Sequence, residues 1–197
     1  MSDPFRLRDA LARPKGDTCG ESSDFDLNPD LPLPPDRSLR PAAVLVAVWD
    51  DRLILTKRAS HLKHHPGQIA FPGGKLDPTD ASLEAAALRE AREEIGLPET
   101  LVDIWGRLPP HETVTGFTVT PILARVTADF MPAPEAGEVD EVFTVPLAHV
   151  LDRGRYGIER RLWRGTWRHY YAVPFGPYYI WGATARILRG LAERAAP

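Results

Sequence analysis

Three glutamates lie together on one face of a predicted helix that ends at a glycine. With successive residues placed 100° apart, Glu90, Glu93 and Glu94 fall at about 0°, −60° and +40°, within one sector of about 100°. Like charges at i,i+4 repel, and carboxylates near the C-terminal end of a helix, here close to Gly96, oppose the helix dipole. The helix is therefore acidic where an isolated helix is destabilised, which predicts a positive group beside it.

Hard divalent cations are one such positive group. Mg²⁺ and Mn²⁺ take oxygen ligands, and Mg²⁺ is usually held by one or two carboxylates plus substrate phosphates. Carboxylates at i, i+3 and i+4 on a rigid helix meet that need, so these three glutamates are candidate metal ligands. The alternative is a solvated charged face, although such a face more often interleaves lysines.

The segment from Arg89 to Leu97 resembles the core of the Nudix box, G-x5-E-x7-R-E-U-x-E-E-x-G-U, where U is an aliphatic residue or similar. Measured from Gly74, the acidic position is Asp80, but eight residues rather than seven separate it from Arg89, so Asp80 is left out of the predicted site. The resemblance implies that Arg89 orients a metal-binding glutamate. The alternative for Arg89 is an ordinary helix-surface ion pair with Glu93.

A second pattern precedes this box. Ile54-Leu55-Thr56-Lys57-Arg58-Ala59, then Lys63, Gly67 and Phe71-Pro72-Gly73-Gly74, resembles the signature of coenzyme A pyrophosphatases within the Nudix superfamily, roughly (L/M)(L/F)TxR(S/A)x3Rx3Gx3FPGG. Lysine at position 63 replaces an arginine and lacks its bidentate fork. The segment IWGATARIL at 180–188 is similar to the closing helix of the same subfamily. The residues that this resemblance implies for substrate binding are Arg58, Lys63, Gly67, Phe71, Gly73 and Gly74.

These resemblances imply metal-dependent hydrolysis of coenzyme A or acyl-CoA, with Mg²⁺ or Mn²⁺ as cofactor. Glu90 and Glu94 are the first-choice metal ligands, and Glu93 either completes the metal shell or orients the attacking water. The general base is Glu93 or Glu141, the latter in an acidic loop expected before a strand at 142–145. Two alternatives stay open: hydrolysis of ADP-ribose, NADH or dinucleoside polyphosphates, and a binding module that senses a nucleotide without cleaving it.

Two further groups of residues have open interpretations. His61, His64 and His65 lie in a predicted loop without a cysteine partner, so contact of His65 with phosphate or adenine is favoured over a zinc site. The aromatic residues at 163–179 are expected to pack strands and a loop or to support a dimer, with base stacking as the alternative. The expected state is a monomer or a homodimer.

Composition excludes several classes of protein. The 197 residues, 43% hydrophobic and 26% charged, fit one domain with a sizeable core. The net charge of −3 provides no general basic field, so neither nucleic acid nor a membrane is an expected partner. The single Cys19 excludes an intramolecular disulfide and fits a reducing compartment. The N-terminus lacks an apolar core and there is no apolar run of about 18 residues, so a cytoplasmic location is expected.

The order of predicted elements indicates the fold. Residues 1–40 read as a short helix and a proline-rich arm that packs on the domain, and residues 41–197 as the Nudix domain. Asp80 or Ser82 is the expected cap of the acidic helix. Strands are predicted at 42–49, 53–57, 101–108, 117–127 and 141–145, and a last helix at 180–195. This order predicts an α/β/α sandwich around a mixed sheet, as the Nudix resemblance also implies.

Overall fold

The computed structural model describes residues 7–9, 11, 20–31, 37–163 and 165–196. Within these residues, nine strands form one mixed sheet and two more form a separate antiparallel hairpin. The strands of the sheet are β1 (Ser22–Ser23), β2 (Arg40–Trp49), β3 (Arg52–Arg58), β4 (Ile69–Ala70), β5 (Gly73–Lys75), β6 (Val102–Arg107), β7 (His111–Glu112), β8 (Phe117–Val126) and β9 (Val139–Pro146). The hairpin consists of β10 (Gly157–Trp163) and β11 (Thr166–Ala172), and the helices are α1 (Leu83–Ile95), α2 (Leu147–Val150) and α3 (Gly182–Ala195).

Strand β2 lies at the centre of the sheet, because it pairs in parallel with β8 and antiparallel with β3 and β5. Its run of apolar residues is buried on both faces, as the sequence predicts. Leu45 and Ala47 belong to the core under α1, whereas Val46 and Val48 belong to the core under α3. Since alternate residues of a strand point to opposite faces, one strand supports both helical layers. The predicted α/β/α sandwich around a mixed sheet is confirmed.

Local signals fix both ends of α1. The Ser82 hydroxyl accepts a hydrogen bond from the Ala85 N–H at 3.1 Å, so Ser82 is the cap. Gly96 ends the helix with φ of +69°, and its N–H donates to the carbonyl oxygens of Ala91 and Arg92. The register of the three glutamates is therefore determined at both ends of the helix.

Several boundaries differ from the predictions. Strand β9 begins at Val139, so Glu141 lies within the strand, opposite Lys57 of β3. The predicted strand at 141–145 therefore begins two residues earlier, and the acidic loop in which Glu141 was expected to act as a base is wrong. The β10–β11 hairpin has no counterpart among the predicted strands. No helix in the described part of the chain is both long and apolar enough to cross a membrane.

Part of the proposed N-terminal arm lies against the sheet. Ser22 and Ser23 pair in parallel with β7, and the side chain of Asn28 hydrogen-bonds the backbone of β11. Residues 7–9 and 11 are helical, and Leu7 is completely buried in the core under α3. The remainder of the predicted helix and most of the proline-rich stretch lie outside the described residues.

Candidate active site

Arg89 connects the carboxylates at the centre of the site. Its Nη1 donates to Glu90 Oε1 and to Glu93 Oε2, both at 3.0 Å. Its Nε and Nη2 donate to the two carboxylate oxygens of Asp80 at 2.9 and 3.0 Å, which is a bidentate pair. A fourth residue, Lys75, accepts from Nη2 through its carbonyl oxygen at 3.3 Å. This arrangement holds the guanidinium in one orientation, and a flexible surface ion pair would not.

Asp80 is therefore a residue that the sequence analysis missed. The extra residue between Asp80 and Arg89 lies before the helix, which begins at Leu83, and the chain there turns enough to return Asp80 to Arg89. The hydrogen bond from Arg89 is the main reason that the pKa of Asp80 lies below its ordinary value. The signal that could have identified Asp80 is its place at the acidic position of the box when the spacing is counted from Gly74.

Glu94 and Glu90 lie in surroundings that disfavour a negative charge. Burial raises the pKa of Glu94 to about 7; the Gly73 N–H, which donates to Glu94 Oε2 at 3.0 Å, opposes this shift, and the negative charge of Glu90 adds to it. Burial also raises the pKa of Glu90, against the opposing effect of Arg89. The Glu94 side chain is only 4% exposed. Two partly desolvated carboxylates thus lie next to each other with little compensating positive charge.

Two consecutive glycines make the close packing against these carboxylates possible. Gly73 has φ of +153°, and a Cβ there would lie 2.4 Å from the Ala43 carbonyl oxygen of β2. A Cβ on Gly74 would lie 2.5 Å from Glu90 Oε1. Any larger residue at either position would displace the backbone or the glutamate. The Phe-Pro-Gly-Gly segment therefore determines the position of the carboxylates.

The donor set of this region fits a divalent cation. Within the described residues, no three His, Cys, Asp or Glu side chains form a group arranged to hold a metal ion. Glu93 is turned to Arg89 and its side chain is 52% exposed, so the structure does not bring it together with Glu90 and Glu94 in such a group. Two carboxylates suffice for Mg²⁺ when substrate phosphates supply further oxygens. Glu90 and Glu94 are the pair that fits, and the three-ligand set remains a prediction.

A cleft of about 360 Å³ opens beside Glu94. Arg58, Phe71 and Gly73, three of the residues predicted to bind substrate, line it, and so do His65 and Gln68 of the loop before β4. Other walls come from elements to which the sequence analysis gave no role in the site. These are residues 24 and 28 of the arm, 113–115 before β8, 168–170 of β11 and 181–184 at the start of α3.

The remaining predicted residues lie around this cleft with different roles. Phe71 is 4% exposed and belongs mainly to the core. Gly67, with φ of +69°, closes the loop after β3 by donating its N–H to the Arg58 carbonyl oxygen at 3.1 Å. Lys63 is exposed on that loop and does not line the cleft. Burial raises the pKa of Glu94, and Arg58 is close enough for its positive charge to oppose that shift in part.

Two glutamates near β9 have different surroundings. Glu141 Oε1 accepts a short hydrogen bond from the hydroxyl of Tyr178, whose ring stacks on Phe143 with centroids 3.6 Å apart. Burial is the main cause of the raised pKa of Glu94 and of Glu90, and Glu138 is close enough for its negative charge to add to both shifts. The loop before β9 is tied to the end of α1, because the Glu135 N–H donates to the Glu94 carbonyl oxygen at 3.0 Å. Glu138 therefore joins the candidates for this site.

The fold and the carboxylates held by Arg89 define an α/β domain with a candidate metal site, and comparison with known proteins identifies its family. Residues 39–163 match the family model described as NUDIX domain, and the chain belongs to the Nudix family. Two similar relatives are both named uncharacterized Nudix hydrolase NudL, one from Enterobacter sp. (strain 638) and one from Cronobacter sakazakii (strain ATCC BAA-894). Each is 46% identical over 164 residues, which cover 78% of this chain and 81% of the relative.

A solved structure supports the fold assignment. The NUDIX domain of Shewanella oneidensis NrtR, complexed with ADP ribose, superimposes with a TM-score of 0.51 over 83% of this chain and 94% of that chain. The two sequences are 17% identical, so this likeness concerns the fold alone. Nudix hydrolases generally use divalent metal ions such as Mg²⁺ or Mn²⁺.

Proposed function

We propose that this Nudix protein hydrolyses the diphosphate bond of coenzyme A and acyl-CoA to 3′,5′-ADP and (acyl-)4′-phosphopantetheine. The pattern from Ile54 to Gly74 carries the proposal, since it resembles the coenzyme A pyrophosphatase signature. Its residues Arg58, Phe71 and Gly73 share one cleft with Glu94, which supports a role beside a bound diphosphate. With one cysteine in the chain, a reducing, cytoplasmic compartment is the proposed location.

The chemistry requires a water molecule to reach phosphorus through a shell of negative oxygens. Water adds to one phosphorus and gives up a proton, the bond from that phosphorus to the bridging oxygen breaks, and each product keeps one phosphate of the former diphosphate. The nucleotide product also keeps its 3′-phosphate. A bound Mg²⁺ or Mn²⁺ would neutralise the phosphate oxygens and lower the pKa of bound water. Glu90 and Glu94 would hold this ion, and Glu93 or Glu141 would accept the proton of the attacking water. Other residues have supporting roles.

Arg89 and Arg58 both act on the carboxylates of the site, and they have different tasks. Arg89 is fully engaged by Asp80 and two glutamates, so it fixes the Glu90 carboxylate and has little capacity left for substrate. Arg58 lines the cleft beside Glu94, where its charge would attract the diphosphate. Arg89 thus positions a metal ligand, and Arg58 attracts the substrate.

Hydrolysis of a matched substrate panel tests this function. Purified protein with Mg²⁺ or Mn²⁺ is given coenzyme A, ADP-ribose and NADH side by side, and the products are identified by mass spectrometry. We expect coenzyme A to have the highest kcat/KM and to yield 3′,5′-ADP, with no turnover in EDTA. A higher kcat/KM for ADP-ribose or NADH would replace the coenzyme A assignment, and no turnover of any substrate would favour a nucleotide-sensing module.

A further inference from the structure

Arg168 of β11 lines the cleft, and its guanidinium has no acidic partner within the described part of the chain. Its guanidinium lies over the Trp163 ring, 4.5 Å from the centroid, and its Nε is buried with no hydrogen-bond partner among the described residues. Asp24 also lines the cleft, but its two oxygens are already 2.8 Å from the Val114 N–H and 3.1 Å from His111 Nε2. A buried, unsatisfied donor in a native cleft requires an explanation. An anionic ligand would provide one.

The strand that carries Arg168 is held in place next to this residue. The Asn28 side chain accepts a hydrogen bond from the His169 N–H at 2.8 Å and donates one to the His169 carbonyl oxygen at 2.9 Å. Asn28 is 6% exposed, so both bonds are shielded from water. The backbone at Arg168 is therefore fixed relative to the arm, and the guanidinium is oriented by the Trp163 ring.

Two aromatic rings lie beside Arg168 in the same cleft. The centroids of Tyr170 and Trp181 are 5.0 Å apart, and the Val173 N–H donates to the Ile180 carbonyl oxygen at 2.8 Å, which holds the two segments side by side. Such rings favour the flat face of a nucleobase. Trp181 precedes the first turn of α3, which lines the cleft and has no side-chain cap. This end of the cleft therefore combines aromatic surface with positive charge.

We propose that Arg168 binds a phosphate monoester on the ribose of the nucleotide half of the substrate, in a subsite separate from the one for the scissile diphosphate. This inference rests on the proposed function, in which that group is the 3′-phosphate of coenzyme A. Lys63 and Arg58, the two cations among the residues that the sequence pattern implies for substrate binding, are the alternatives for this role. Lys63 does not line the cleft, and Arg58 is next to Glu94, where it suits the diphosphate. Arg168 is the arginine that remains among the described lining residues.

Calorimetric titration of the full-length protein in EDTA tests this subsite without turnover. We expect 3′,5′-ADP to bind about tenfold to a hundredfold more tightly than 5′-AMP, because the extra phosphate gains a charge-assisted hydrogen bond. Arg168→Gln should abolish most of this preference, and Arg168→Lys should retain part of it. The control is Arg153→Gln, since Arg153 is exposed and does not line the cleft. This control should keep the full preference.

Kinetics with Mg²⁺ give an independent readout. The ratio of kcat/KM for coenzyme A over dephospho-coenzyme A should fall by the same factor in Arg168→Gln and stay at the wild-type value in Arg153→Gln. An unchanged preference for 3′,5′-ADP in folded Arg168→Gln, or no preference in the wild type, would overturn the subsite even if coenzyme A is hydrolysed. If neither coenzyme is hydrolysed, the proposed function fails, and the titration still decides the subsite.

Discussion

Replacement of Glu94 by glutamine separates the role of this carboxylate in the fold from its role in catalysis. Glutamine keeps the size of the side chain and an oxygen that can accept the Gly73 N–H, but it removes the charge. Burial raises the pKa of Glu94 from 4.5 to about 7, so in the metal-free protein the ionised form is unfavourable to folding. Each unit of this shift corresponds to about 1.4 kcal/mol, which makes the effect on the order of 1–3 kcal/mol.

The direction of the pH dependence follows from the same shift. Between about pH 4.5 and pH 7, the folded state of the wild type binds more protons at position 94 than the unfolded state does. The contribution of Glu94 to the free energy of unfolding is therefore fully present below about pH 4.5 and lost as the pH rises through about 7. Glutamine does not titrate, so Glu94→Gln should become more stable than the wild type at about pH 8 and gain little at about pH 5.

Urea denaturation in EDTA at these two pH values measures the difference. Glu99→Gln is the control, because the Glu99 side chain is 47% exposed and its ion pair with Arg92 is long, at 3.8 Å. Addition of Mg²⁺ at about pH 8 should stabilise the wild type but not Glu94→Gln. Turnover of Glu94→Gln should fall on the order of a hundredfold or more. A stability difference that does not change with pH would refute the electrostatic reasoning, and near-normal turnover would remove Glu94 from the metal site.

Three further predictions concern other residues. Arg89→Lys, which keeps the charge but loses the bidentate contact, should lower kcat or Mg²⁺ affinity about 10- to 100-fold in a folded protein, whereas Arg92→Lys, a change in an exposed arginine, should not. Glu93→Gln should lower kcat by about 10²–10⁴ and remove the acidic limb of the pH–rate profile, while Glu141→Gln stays active; the reverse result would make Glu141 the base. Glu84, whose hydrogen bond from an arginine of β6 lowers its pKa to about 2, should stabilise the fold by about 0.5–1 kcal/mol above pH 4.5, and urea denaturation should show that Glu84→Gln loses this contribution but approaches the wild type as the pH falls to about 2.

The central layers of the fold could be predicted because their signals are periodic and have clear ends. The apolar run of β2 indicates a strand buried on both faces, and Ser82 and Gly96 mark the ends of α1. The β10–β11 hairpin gives no such signal, because every residue of β10 is exposed and its charged side chains produce no apolar alternation. A sequence pattern therefore predicts the strands that build the core better than the strands that border the cleft.

The site divides in the same way between helix and loop residues. Glu90 and Glu94 could be placed from helical spacing alone, since three or four residues along a helix bring side chains to one face. The prediction for Lys63 rests on its position in a loop pattern. Residue spacing in a loop does not determine where a side chain points, so the pattern could not show that Lys63 is exposed outside the cleft. The contacts of Asp80 with Arg89 and the position of Arg168 depend on how the chain folds back, which no local spacing reports.

The balance of charge around α1 connects these observations. The carboxylates and guanidinium groups of this region belong to Asp80, Glu90, Glu93, Glu94, Arg89 and Arg58. When all are ionised, and with Glu138 also near Glu90 and Glu94, five negative charges face two positive ones, a local deficit of positive charge that a divalent cation would reduce. The protein alone reduces this deficit by holding a proton on Glu94, whose pKa burial raises to about 7. A bound Mg²⁺ would replace that proton, so metal affinity should increase with pH across the range in which Glu94 ionises.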